Sequence, residues 1–224
     1  MINVCCVFYG NKYTSDYVQK LYNMIERPLT VPYQFYCFTD HKNLFDTVYG
    51  KIIYKDLPLS GYKGWWNKLQ LFNPDIGLQG VNLYFDIDIV ITKNIDCFAT
   101  YGDDKSFSII NDFEREFKEY NSSIMKWNND TASIIWKNYI EWQDHYNNFH
   151  NDQQVISDII YDKDILKIYP NEWTFSYKWY SRDKPRFDII DQTFEEDINA
   201  KIAVFHGKPD PHEVSQKWVI DNWK

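Results

Sequence analysis

Two carboxylates one residue apart, Asp86 and Asp88, follow directly on an apolar run of β-formers that includes Val81, Leu83, Tyr84 and Phe85. In an extended segment residues i and i+2 point to one face, so both carboxylates project together from the strand's carboxyl end. Like charges that close repel, and a divalent cation is the usual relief. Mg²⁺ or Mn²⁺ takes hard carboxylate oxygens and brings substrate phosphates with it. Ligands of open α/β sheets bind at that same end of the strands. The plainer alternative has Asp86 capping the last backbone groups of the strand and Asp88 solvated in a turn. The other end of the chain favours the cation: there the run Lys201–Phe205 reads as a strand delivering His206-Gly207-Lys208-Pro209. His206 offers an imidazole nitrogen to a metal, and Lys208 offers a cation to a phosphate that Gly207 lets approach the backbone. A strand-end histidine alone is more often structural; joined to Asp86 and Asp88 it reads as part of a metal and diphosphate site.

Two further residues carry chemistry in this pattern. Lys68 sits inside Trp65–Phe72, WWNKLQLF, which reads as a short helix with Trp65, Leu69 and Phe72 on one face. Its ammonium either snorkels from a half-buried helix or contacts a phosphate. Asp152, in His150-Asn151-Asp152-Gln153-Gln154, precedes a predicted helix Gln154–Ile160 and by default is its N-cap.

The elements that must position these groups come in an α/β order. Ile2–Tyr9 is a first buried strand broken by Gly10, and Asp16–Glu26 is an amphipathic helix capped by Thr14 or Ser15 and ended by Pro28. Gln34–Thr39 and Lys51–Tyr54 are the next strands, and Leu57–Gly64 is a loop. Beyond the acidic strand come a helical turn Ile95–Tyr101, a strand Ser106–Asn111 and a charged surface loop Asp112–Tyr120. A strand candidate Ile124–Trp127, a helix Thr131–Asp144 and a strand Ile165–Tyr169 follow. Asn171–Phe187 reads as an aromatic-rich loop, and the residues after Pro211 as an amphipathic tail. Arg27-Pro28-Leu29-Thr30 matches the tail of a sugar nucleotidyltransferase signature, but it follows a helix and lacks the glycine-rich loop, so the match is coincidence. No repeat, low-complexity stretch or linker interrupts the chain, which reads as one domain over 1–224.

With 24 Lys+Arg against 32 Asp+Glu the formal charge is −8, which argues against a nonspecific nucleic-acid or anionic-membrane surface. Aromatic residues make up 19% of the chain, more than a core needs, and such rings suit sugar and base stacking as well as packing. Cys5, Cys6, Cys37 and Cys97 show no C-x-x-C spacing, and three lie in apolar strand-like runs, so they read as reduced core residues of a cytoplasmic protein. MINVCCVFYG has no basic n-region, and no apolar stretch is long enough to span a bilayer.

Four motifs, taken in order, resemble the GT-A nucleotide-sugar glycosyltransferases, specifically glycosyltransferase family 8 and its small phage and bacterial relatives. They are Phe85-Asp86-Ile87-Asp88 for the D-x-D, Asn121-Ser122-Ser123-Ile124-Met125 for the Asn-Ser-Gly segment, Asp152-Gln153 for the Asp-Gln pair, and Phe205-His206-Gly207-Lys208-Pro209 for the terminal element. Tyr9-Gly10 and Tyr13 look like the nucleotide-entry strand and loop, and Lys68 like the basic residue before the D-x-D.

The resemblance implies a single α/β domain of GT-A (Rossmann-like) fold, with a mixed, mostly parallel central sheet flanked by helices. It implies Mn²⁺- or Mg²⁺-dependent transfer of a sugar from a nucleotide-diphosphate donor, a UDP-sugar by preference, to a carbohydrate or other hydroxyl acceptor, with retention. The setting implied is the cytoplasm of a bacterium, or of its host if the chain is phage-encoded. In this carry-over Asp86, Asp88 and His206 hold the metal. Tyr9, Gly10, Tyr13, Lys68, Asp86, Asn121, Ser122, Gly207 and Lys208 hold the nucleotide sugar. Asp152 stabilises the oxocarbenium-like centre or acts as nucleophile, and Gln153 contacts the donor sugar.

The chain departs from the pattern in two places: Ser123 stands where the family has glycine, and Asp210-Pro211-His212 follows Lys208-Pro209. A degenerate relative that binds nucleotide or sugar without turnover is the alternative, opposed by the presence of Asp86, Asp88, Asp152 and His206. A nucleotidyltransferase or phosphohydrolase is a third reading, opposed by the missing glycine-rich signature.

Overall fold

Along the first strand, β1 (Ile2–Phe8), Val4, Cys6 and Phe8 enter one hydrophobic cluster while Cys5 and Val7 pack with another. A strand apolar on both faces needs cover on both, and helices supply it. The computed structural model describes residues 1–44, 51–113, 119–180 and 200–224. After β1 come α1 (Asp16–Glu26), β2 (Tyr33–Thr39), β3 (Ile52–Asp56), a 3-10 helix (Gly64–Phe72), β4 (Asn82–Phe85), β5 (Ile89–Ile91), α2 (Asp96–Thr100), β6 (Phe107–Asn111) and β7 (Tyr120–Trp127). Then follow α3 (Asn129–Glu141), α4 (Gln143–Tyr146), α5 (Asp152–Ile160), β8 (Leu166–Ile168), β9 (Thr174–Ser176), α6 (Tyr177–Tyr180), β10 (Ile202–Val204) and α7 (Lys217–Asn222). Helix α1 buries Tyr17, Val18, Leu21, Tyr22, Met24 and Ile25 in the first cluster, and α3, α5 and the 3-10 helix cover the second.

The main sheet has seven strands in the order β3-β2-β1-β4-β7-β6-β8. Its β1–β2, β2–β3, β1–β4 and β6–β8 pairs are parallel, whereas β4–β7 and β6–β7 are antiparallel. This is the mixed, mostly parallel sheet flanked by helices that the resemblance implied. The chain leaves β1 to one side for β2 and β3, then returns to its other side as β4. That reversal opens a crevice at the carboxyl ends of β1 and β4, the place where such sheets bind ligands.

A smaller sheet of order β5-β10-β9 brings the turn before β5 and the segment after β10 to the crevice. Strand β10 runs antiparallel to β5, with Ile202 opposite Ile91 and Val204 opposite Ile89. The register therefore sets Asp88, just before β5, beside Phe205 and His206, just after β10.

Several local expectations change. Ser15 holds the N-cap position of α1, but its backbone is already helical and its side chain makes no capping bond. Trp65–Phe72 is not an α-helix: with three residues per turn Trp65 lines up with Lys68, not Leu69, and it is 60% exposed while Leu69 and Phe72 are buried. Asp86 and Asp88 stand in the turn between β4 and β5, not on a continued strand. A capping box at Asn128 starts α3, and Thr131–Asp144 divides into α3 and α4. The expected aromatic loop Asn171–Phe187 holds a 3-10 turn, β9 and α6 as far as Tyr180; residues 181–187, and 114–118 of the charged loop, lie outside the described residues.

The four cysteines are free thiols, and burial pushes those of Cys5 and Cys37 well above the usual range. Among the described residues no helix is long and apolar enough to cross a membrane.

Candidate active site

The crevice is a cleft of about 420 Å³ at the ends of β1 and β4, and Tyr9, Tyr13, Lys68, Asp86, Asp88 and Gly207 all line it. The loop after β1 is held from both sides. The Gly10 N–H donates to Asp40 Oδ1 at 3.2 Å, and His41 Nε2 lies 2.7 Å from the Gly10 carbonyl oxygen. Gly10 takes a positive φ of 66°, which a side chain would strain.

Lys68 neither snorkels nor waits with a free charge. Its side chain is buried, and its Nζ lies 3.0 Å from Asp86 Oδ1, 3.4 Å from Asp152 Oδ2 and 3.0 Å from Ser122 Oγ. Ser122 Oγ donates in turn to Asp152 Oδ2 at 2.8 Å. Burial alone would lower the Lys68 pKa; the carboxylates of Asp152 and Asp86 overcome it and hold the pKa above its ordinary value. Burial raises the Asp152 carboxyl, with Lys68 and Ser122 opposing. The local cause is strand pairing. Strand β7 runs antiparallel to β4 with Phe85 opposite Ile124, and the Asp86 N–H donates to the Ser123 carbonyl at 2.9 Å, so Ser122 arrives beside the D-x-D turn.

Asp88 is pushed up to about 7, first by burial and then by the nearby charge of Asp86. The Tyr13 hydroxyl donates to Asp88 Oδ2 at 2.8 Å, and its phenol oxygen lies 3.1 Å from Asp210 Oδ1. Asp210 has a buried side chain, and the sequence marked it only as a departure from the family pattern. Lys208 Nζ donates to its Oδ2 at 2.7 Å, Lys12 Nζ lies 3.7 Å from its Oδ1, and its backbone N–H donates to Glu213 Oε2 at 2.7 Å. Burial would raise the Asp210 pKa, but these cations and Tyr13 bring it below the ordinary carboxylate value. Lys208 also donates to Glu213 Oε1 at 2.8 Å. Gly207 adopts a φ of 86°, so glycine is required there by conformation, not by crowding.

The remaining predicted residues are placed differently. His206 pairs through Nε2 with Ser176 Oγ, and its ring stacks on Phe113 with centroids 5.3 Å apart. Among the described residues no three His, Cys, Asp or Glu side chains gather as a ready metal site, so His206 is not assembled with Asp86 and Asp88. The two aspartates still fit a hard cation. They are paired carboxylates on one turn, one of them kept protonated toward neutral pH by burial and the other's charge, and Mg²⁺ sites commonly use one or two carboxylates with substrate phosphates. Asp152 is not the cap of α5: Asn151 is, its Oδ1 accepting from the Gln154 N–H at 2.9 Å. Gln153 faces Glu119, with Nε2 3.5 Å from Oε2, and Asn121 Oδ1 accepts from the Ser123 N–H at 3.0 Å. Asn121, Ser122, Asp152 and Gln153 do not line the cleft; Ser122 and Asp152 join it through Lys68.

No protein-family model matches the chain, and no curated protein does. Solved structures share its fold. The glycosyltransferase GlyE of Streptococcus pneumoniae TIGR4 superposes with a TM-score of 0.74 at 15% identity, covering 100% of this chain and 62% of that one. The galactosyltransferase LgtC, solved in complex with donor and acceptor sugar analogs, gives a TM-score of 0.65 at 14% identity over 93% of this chain and 88% of that one. The bifunctional glycosyltransferase WbbM gives 0.65 at 11% identity, with 94% and 46% covered. The chain thus has the α/β fold of GT-A glycosyltransferases, with its predicted carboxylates at that fold's ligand-binding crevice.

Proposed function

We propose that the protein is a retaining glycosyltransferase that moves a sugar from a nucleotide diphosphate, a UDP-sugar by preference, to the hydroxyl of a carbohydrate or other acceptor. One observation carries the reading: Asp86 and Asp88 meet Lys68, Tyr9, Tyr13 and Gly207 around a single cleft at the point where the strand order reverses.

In this reaction the bond from the anomeric carbon to the diphosphate oxygen breaks and its electron pair leaves on the diphosphate. The acceptor oxygen bonds to that carbon, and its proton passes to the departing diphosphate. The growing negative charge is what the site must neutralise. Mn²⁺ or Mg²⁺ held by Asp86 and Asp88 supplies a Lewis acid there when bound. Lys208, exposed and paired with the buried Asp210 and the half-exposed Glu213, exchanges these carboxylates for phosphate oxygens. Tyr9 and Tyr13 take the nucleoside end. Asp152, tied to Asp86 through Lys68, serves the sugar end, where its buried charge stabilises a cationic anomeric centre. The four free thiols support a cytoplasmic setting.

The test is a panel of UDP-Glc, UDP-Gal, UDP-GlcNAc and GDP-Man with Mn²⁺ or EDTA, read as nucleoside diphosphate release. Release from one donor, lost in EDTA, is expected. Metal-dependent UDP binding without release from any donor would favour a degenerate binder; no binding at all would refute the assignment.

A further inference from the structure

Two tryptophans stand out on the surface, Trp65 at 60% and Trp142 at 56% exposed. Trp142 lies at the α3–α4 junction away from the cleft, whereas Trp65 lines the cleft. An indole left largely in water in a cleft wall is a stacking surface.

The 3-10 helix Gly64–Phe72 fixes what that surface overlooks. In this helix residues i and i+3 eclipse, so Trp65 stands in line with Lys68, about 6 Å further along the axis. The Lys68 ammonium lies 3.0 Å from Asp86 Oδ1 and 3.4 Å from Asp152 Oδ2. The indole is therefore aligned with the stretch between the D-x-D turn and Asp152, while the loop after β1 carries Tyr9 and Tyr13. Gly64, next to it, has no heavy atom within 4 Å of where a Cβ would stand, so the approach on that side is open.

We infer that Trp65 is the platform for the sugar ring of the acceptor. This rests on the glycosyltransferase reading and adds the acceptor's chemical class: a pyranose that lays its C–H face on the indole while a hydroxyl points toward the donor's anomeric carbon. Donor binding and bond cleavage do not depend on Trp65.

The experiment compares wild type with Trp65→Ala, Trp65→Phe and Trp142→Ala. The donor is the one found by the nucleotide-sugar panel, and the acceptor probes are p-nitrophenyl β-glucoside, β-galactoside and β-N-acetylglucosaminide. Trp65→Ala is expected to raise the acceptor KM about tenfold, a loss of about 1.4 kcal/mol. Acceptor-free donor hydrolysis and the Kd for UDP with Mn²⁺ stay as in wild type. Trp65→Phe recovers most of the loss, and Trp142→Ala changes nothing. The inference is overturned if Trp65→Ala weakens UDP binding instead, which would put the base on the indole, or if the acceptor KM does not move. It is equally overturned if wild type hydrolyses its donor yet uses none of the pyranosides. A wild type that neither binds UDP with Mn²⁺ nor cleaves any nucleotide sugar marks a different failure, that of the glycosyltransferase reading, and this inference goes with it.

Discussion

Tyr13 and Asp210, from opposite ends of the chain, meet at 3.1 Å through a phenol oxygen that also lies 2.8 Å from Asp88. One hydroxyl proton cannot serve two carboxylates. Lys12 and Lys208 balance Asp210, and a retained proton relieves Asp88, so the bridge depends on charges from three segments. Tyr13→Phe and Asp210→Asn are each expected to weaken UDP binding with Mn²⁺ by about tenfold, and the double variant by little more than either, because they break one network. Calorimetric titration of the four proteins checks this; additive losses would show that the two act separately.

The Asp88 carboxyl sits at about 7 against an ordinary 3.8. Between those values the folded state holds more protons than the unfolded one, so this group's contribution to stability falls as pH rises toward 7. Metal-free wild type should therefore lose stability relative to Asp88→Asn as pH climbs from about 4 to about 7. Urea titrations of both proteins across that range measure the difference. Mn²⁺ affinity of the wild type should rise over the same window, since the cation displaces the proton.

Lys68→Met leaves Asp86 and Asp152 facing each other without their shared cation. Breaking a buried pair from one side costs about 3–5 kcal/mol, so a fall of that size in unfolding free energy is expected. Adding Asp152→Asn should restore part of it. A lysine contributing only a phosphate contact would leave stability unchanged on removal.

Asn151 and Asp152 are neighbours with separable duties. Asn151→Ala removes the cap of α5 and should cost about 1 kcal/mol with turnover nearly intact. Asp152→Asn keeps that cap and leaves Lys68 its Asp86 partner, yet should lower turnover about a hundredfold or more while UDP–Mn²⁺ affinity holds. Thermal melts and steady-state rates on the two variants distinguish them.

Most strands of the main sheet and α1 were legible in the sequence, because apolar runs and a regular helical stripe leave little choice of structure; of β7 only Ile124–Trp127 was legible, since its first half, Tyr120–Ser123, is polar. The D-x-D was legible for a related reason: two charges ending such a run must lie at an edge. Strands β5, β9 and β10 are three residues each; β10 was read as a strand, whereas β5, directly after the D-x-D, and β9 were not. The 3-10 winding of Gly64–Phe72 was hidden because its apolar residues satisfy either helical period. Asp210 was missed as a site residue since its link to the carboxylate turn comes from partners distant in sequence: Tyr13 and Lys12 lie at the other end of the chain, and only Lys208 and Glu213 are near it. Asp152 was recognised through resemblance, but its pairing with Lys68 and Ser122 depended on contacts distant in sequence, while Asn151 takes the cap locally.

The pairing of Ile89 with Val204 works as a gauge block between the carboxylate turn in mid-chain and the terminal His206-Gly207-Lys208 segment. Chain added or removed in the surface loops between Ile91 and Ile202 leaves this stop in place, so the spacing between the carboxylate turn and the terminal lysine is insulated from such changes. Loop grafts intended to alter what the protein accepts can therefore be placed in that span without retuning the donor end, provided the three facing residue pairs are left intact together with Ser122 and Asp152, which partner Lys68.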